Sequence, residues 1–152
     1  MVKLFKKYGG SMKTYDKAVK AAIASLKHSQ AGISGRRVGA SVIASNGART
    51  RVFSGCNIEL ATSTCFHAER VALLKAISEG YTDIQSIFVT SLSKEQRAAL
   101  CGYCRQDFMY ANRNCMIYVL NPDATLKIKT RLVDTLKYPY LGGGKLDVAR
   151  QQ

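Results

Sequence analysis

The stretch STCFHAERVALLKA, residues 63–76, sets His67 and Glu69 two positions apart at the mouth of an otherwise apolar helix. That helix is expected over roughly residues 66–79, and Gly80 then serves as its left-handed stop. Working upstream, VGASVIA (38–44) reads as a buried strand, SNG as a hairpin turn and RTRVFSGCN as the returning strand. Before them, residues 14–29 carry Ala18, Ala22, Ile23 and Leu26 as a helical stripe, and GISG breaks the chain. Downstream, IQSIFVTS (84–91) is a strand by its β-branched and aromatic content. A loop or short helix then leads to a second helix from near Cys101 to about Asn112. CMIYVLN and ATLKIKT are further strands, RLVDTL is a short helix and YPYLGGGKLD is loop-like. The order is α-β-β-α-β-α-β-β, with two successive β-α-β connections that favour parallel pairing. The expected fold is α/β, a three-layer α/β/α sandwich on a five-stranded mixed sheet.

The 152 residues fit a single domain, taken as residues 14–152 behind a basic tail at 1–13. Apolar runs fall far short of the roughly 18–20 residues of a membrane span, and the basic N-terminus lacks an apolar export segment. Five cysteines are an odd number, so a reduced, cytoplasmic protein is expected. In that setting a C-x-x-C signals metal or redox chemistry rather than a structural disulfide.

CGYC at 101–104 supplies that pair. Imidazole and thiolate together suit zinc, and the three ligands His67, Cys101 and Cys104 leave a fourth position open, as catalytic zinc sites do. Two cysteines three apart in a helical first turn can face one ion, and a helix N-terminus eases thiol ionisation. Glu69 is then near enough to move protons of a water whose pKa zinc lowers to about 7. A histidine alone beside an apolar helix is usually packed or solvated, and a lone C-x-x-C can be a redox pair. Redox chemistry explains neither His67 nor Glu69, and Cys65 is the only near candidate for a fourth, structural ligand.

The sequence resembles the zinc-dependent cytidine deaminases, with their H-x-E…P-C-x-x-C signature, over about residues 14–141. VGASVIASNG is similar to the family's N-terminal hairpin and FSGCNIE to its substrate segment; HAERVALLKAISEG and CGYCRQ are similar to its two metal helices. The resemblance implies Zn2+ held by His67, Cys101 and Cys104, with Glu69 as proton shuttle. It further implies that Asn57 and Glu59 bind the ribose, chiefly at its 3′-hydroxyl, and that the Ala68 backbone grips the pyrimidine O2. The Cys101 carbonyl would face the leaving amine, and Arg70 and Arg105 would donate to the thiolates. Tyr140 would be the C-terminal aromatic near a neighbouring chain's active site. Leu100 replaces the proline of the signature, and Arg36 and Arg37 replace the aromatic that packs on substrate.

The implied reaction is hydrolytic deamination of cytidine or deoxycytidine in pyrimidine salvage, by a homo-oligomer, most simply a tetramer. A deaminase of a modified cytosine nucleoside such as blasticidin S is the alternative, since some of these also carry a basic pair before VGA and an LKY like residues 136–138. A polynucleotide substrate is the more distant one. The net charge of +13 invites it, but the 23 lysines and arginines are scattered and no aromatics alternate with them. Only weak, sequence-blind, salt-dependent nucleic-acid binding is expected.

Overall fold

The computed structural model describes residues 11–61, 64–92 and 100–140. The expected basic tail, the segment after the strand at 84–91 and the chain beyond Tyr140 lie outside those residues in whole or large part. Helix α1, Met12–Ser25, starts two residues earlier than its apolar stripe suggests, because Ser11 caps it by accepting the Thr14 N–H. A single 3-10 turn, Leu26–His28, extends it. The hairpin strands are β1, Val38–Ser45, and β2, Thr50–Cys56, with Gly47 at positive φ in the turn. Two short strands absent from the sequence reading follow: β3, Ile58–Glu59, and β4, Cys65–Phe66, paired antiparallel. Then come α2, Ala68–Ser78, β5, Asp83–Ser91, and α3, Gly102–Asn112. Strands β6, Met116–Leu120, and β7, Leu126–Arg131, precede a 3-10 turn at Leu132–Thr135.

The main sheet has the order β2-β1-β5-β6-β7. It is mixed, as expected, but its pairing corrects one expectation. Only β5 and β6 are parallel neighbours; β1 lies between β2 and β5 and is antiparallel to both. The connection through α2 therefore skips over a strand instead of making a parallel pair. The hairpin register of β1 on β2 had already taken the place beside β2.

Period-2 alternation divides the side chains between two layers. From β1, β5 and β6, Val42, Val89 and Ile117 face α2 and α3. Ile43, Phe88 and Tyr118 face α1, where Phe88 stacks on Tyr118 at 4.8 Å and Tyr15 meets both rings edge-on. A register shift at Ile43/Ala44 inserts Gln85 as an extra residue in β5, which lets Ile84 and Ile87 share a face. Helices on both faces complete the α/β/α sandwich.

Gly55 of β2 sets how closely α2 can approach. A Cβ there would stand 2.7 Å from both the Ala68 carbonyl oxygen and the Ala72 nitrogen, so only glycine fits against this first stretch of α2.

Candidate metal centre and active site

The topology explains why two helix starts meet. β2 and β5 are both antiparallel to β1, so they run in one direction, and α2 and α3, which follow them, begin at the same end of the sheet. The small β3–β4 hairpin carries the chain out from β2 and returns it to His67. His67 is the N-cap of α2 in extended conformation, and its ring makes no cap hydrogen bond. Cys101 is the N-cap of α3 and its sulfur accepts the Cys104 N–H at 3.4 Å. Sequence reasoning set both cysteines inside the helix; the first lies at its cap.

The His67 Nδ1 lies 3.2 Å from the Cys101 Sγ and 3.4 Å from the Cys104 Sγ. Tetrahedral zinc, with Zn–S of about 2.3 Å and Zn–N of about 2.0–2.1 Å, sets its N and S ligands about 3.6 Å apart. The three donor atoms lie within 4.8 Å of one another, so this chemistry and spacing fit zinc. Burial pushes the Cys104 thiol well above its ordinary value, and the charges of Glu69 and Cys101 push it the same way. A divalent cation held by these residues would reverse that preference by displacing the protons.

Glu69, in the first turn of α2, is only 6% exposed. Burial raises its carboxyl above the ordinary value, opposed by its own backbone N–H and by His67. A carboxyl that can hold a proton near these metal-type donors suits proton transfer. Ala68 opens the same helix and is fully buried, and its N–H lacks an intrahelical acceptor.

Asn57 and Glu59 follow β2 directly, where they tie down the segment entering β1. The buried Asn57 Oδ1 accepts from the Ser29 hydroxyl at 2.6 Å and the Val38 N–H at 2.8 Å, while its Nδ2 donates to the Arg36 carbonyl at 2.8 Å. Glu59 accepts the Ile33 and Ser34 N–H groups at 2.8 and 2.9 Å on Oε2, and the Ser34 hydroxyl on Oε1. These bonds, the Ser34 hydroxyl foremost, lower the Glu59 carboxyl below its ordinary value.

Residues 12–120 match the family model for the cytidine and deoxycytidylate deaminase zinc-binding region. The chain belongs to this deaminase family. It is 36% identical over 92 residues to a probable cytidine deaminase of Dictyostelium discoideum, 60% of each chain. It is also 35% identical over 86 residues to a cytidine deaminase of Sporosarcina psychrophila, 55% of this chain and 60% of that one. The chain thus spans 60% of the length of these curated relatives. Among solved structures it superposes on cytidine deaminase from Burkholderia pseudomallei with TM-score 0.72 and 29% identity, covering 84% of this chain and 99% of that one.

Within this deaminase fold, Arg70 and Arg105 each tie neighbouring segments together, and the Cys104 sulfur is among the charges acting on Arg70. The Arg70 Nε lies 3.1 Å from the Asp107 Oδ2 and its guanidinium sits 4.6 Å over the Tyr103 ring, so Arg70 clasps the start of α2 to α3. That 3.1 Å approach is a charge contact, since it lacks hydrogen-bond geometry. Arg105 donates from Nη1 to the Thr135 carbonyl at 2.7 Å, while its buried Nε has no partner among the described residues. Gln106 holds Tyr140 by its backbone, donating to its carbonyl at 2.6 Å and accepting its N–H at 2.8 Å; the Tyr140 side chain is exposed. The Cys101 carbonyl accepts the Arg105 N–H at 3.0 Å. Arg36 and Arg37 are exposed just before β1. Asp107, Tyr103 and Gln106 escaped the sequence reading. Their place on α3, near the CGYC cysteines, was the available signal.

Among the described residues, the exposed basic side chains lie on several different elements. Lys17, Lys20 and Lys27 are exposed on and after α1, and Arg49 and Arg51 at the hairpin. Arg51 is engaged by Glu79 at 2.6 Å, and Arg131 by Asp134 at 2.9 Å. No helix among the described residues is long and apolar enough to cross a membrane.

Proposed function

We propose that this protein is a zinc-dependent aminohydrolase converting cytidine and deoxycytidine, with water, to uridine and deoxyuridine plus ammonia. The carrying observation is the buried Glu69 carboxyl beside the His67, Cys101 and Cys104 donors, at two converging helix starts. Zinc bound there would lower the pKa of water and polarise it for attack at C4. Glu69 takes up the proton released by that water and delivers it to N3. It then takes the proton of the hydroxyl newly joined to C4, which becomes the uracil carbonyl, and passes it to the departing amino group. One carboxyl close to the ring serves both transfers. The Ala68 N–H holds the pyrimidine O2, and Asn57 and Glu59 hold the sugar. Donation from Arg70 and Arg105 to the sulfurs, and the place of Tyr140 at a neighbouring chain's pocket, belong to the same reading.

The protein acts as a homotetramer in the cytoplasm, in pyrimidine salvage, with residues 14–152 as its catalytic unit. An active monomer by light scattering would contradict the tetramer. The exposed Arg36 and Arg37, next to the loop bonded by Asn57 and Glu59, favour a second reading in which a modified nucleoside such as blasticidin S is the substrate. The dispersed charges favour no strand-binding groove, so contact with nucleic acid stays weak and salt-dependent.

An ultraviolet assay over cytidine, deoxycytidine, their monophosphates, cytosine, blasticidin S and a cytosine-containing oligonucleotide tests this reading. Nucleosides should exceed cytosine by well over tenfold in kcat/KM, because without a sugar the polar groups of Asn57 and Glu59 are left unpaired. Arg36→Ala/Arg37→Ala should change KM for the nucleoside or nucleotide more than affinity for the oligonucleotide. Equal kcat/KM for cytosine and cytidine would remove the sugar contacts. A rate on the oligonucleotide rivalling that on cytidine would replace the nucleoside reading with polynucleotide editing.

A further inference from the structure

The hydrogen-bond capacity left on Asn57 and Glu59 is small and specific. An ionised carboxylate offers about four lone-pair positions. On Glu59, Oε2 takes the Ile33 and Ser34 N–H groups and Oε1 takes the Ser34 hydroxyl, so one position remains, on Oε1. The Asn57 Oδ1 has both positions filled and Nδ2 has used one of its two hydrogens, so one N–H remains. Among the described residues the pair therefore offers one acceptor and one donor, the complement of a single hydroxyl group.

Ser34 decides that outcome. The Arg36 N–H donates to the Ser34 Oγ at 3.1 Å, so the hydroxyl proton is left to point at Glu59. Ser34 thereby fills one position on Oε1 and fixes which way the other faces. The turn itself is exposed, with Ile33 72% accessible, so packing alone does not hold this geometry.

We propose that Ser34 is a positioning residue for the sugar side of the pocket: its hydroxyl orients the Glu59 carboxylate so that, with Asn57, it reads one sugar hydroxyl. This deepens the nucleoside reading above and rests on it. The residue does no chemistry, and its effect falls on binding rather than on turnover.

The test compares Ser34→Ala and Ser34→Thr with the zinc-loaded wild type. Ser34→Ala should raise KM for cytidine roughly tenfold with kcat changed less than about twofold, the scale of one lost charge-assisted hydrogen bond. Its Glu59 carboxyl, followed by carbon NMR in a pH titration, should move up toward the ordinary 4.5. Ser34→Thr keeps a hydroxyl and should restore both values. An unchanged KM, or a loss of kcat in step with lost zinc, would overturn the proposal. If the wild type deaminates no cytosine nucleoside, the functional reading fails. The Glu59 titration then decides Ser34 alone: an upward move in Ser34→Ala supports its orienting bond, and no move refutes it.

Discussion

Protein carrying Cys101→Ala or Cys104→Ala should purify with little of the roughly one zinc per chain that the wild type holds. The sulfurs lie 3.2 and 3.4 Å from the His67 Nδ1, and among the described residues these three donors form the cluster with no fourth to compensate. Changes to groups that only orient ligands already cost 10–100-fold in metal affinity, so loss of a direct ligand should cost more than about 100-fold. Cys56→Ala, Cys65→Ala and Cys115→Ala should keep the metal. Cys115 is buried at the entrance to β6, where burial pushes its thiol up to about 12 and disfavours a metal-binding thiolate. Emission spectrometry on each purified variant gives the metal content. Loss of zinc from Cys65→Ala alone would displace the ligand set, because β4 places Cys65 just ahead of His67.

Glu69→Gln should keep zinc and bind substrate, yet lose about 10²–10⁴ in kcat, the contribution of positioned acid–base catalysis. The amide matches the carboxyl in shape but cannot take a proton from water and pass it on. Since burial already disfavours the charged carboxylate, a neutral replacement adds no desolvation cost and the fold should persist. Stopped-assay rates normalised to zinc content separate this from metal loss. A zinc-replete variant turning over within tenfold of wild type would remove Glu69 from the proton path.

The parts legible in the sequence were those written locally. The two periodicities distinguish helix from strand, and Gly80, at φ 82°, stops α2 where the pattern ends. His67, Glu69, Cys101 and Cys104 stood out because their residue types carry chemistry and their positions mark helix starts. What stayed hidden depends on contacts between distant segments. β3 and β4 are two residues each, too short for alternation to register. The insertion of β1 between β2 and β5 is a choice of partner that no single strand encodes. Asn57 and Glu59 were read only as sugar ligands, yet their bonds to Ser29, Ile33, Ser34 and Arg36 show them bracing the segment before β1. The grip of Arg70 on Asp107 and Tyr103 likewise joins two helices through residues that no motif pairs.

Hydrolytic deamination at this site is the central claim, and the fate of the oxygen tests it most directly. Zinc-loaded protein incubated with cytidine in heavy-oxygen water should yield uridine carrying one heavy oxygen on its base, with one ammonia released per uridine, both read by mass spectrometry and ammonia assay. Zinc-replete protein that forms no uridine from cytidine and no deoxyuridine from deoxycytidine would contradict it.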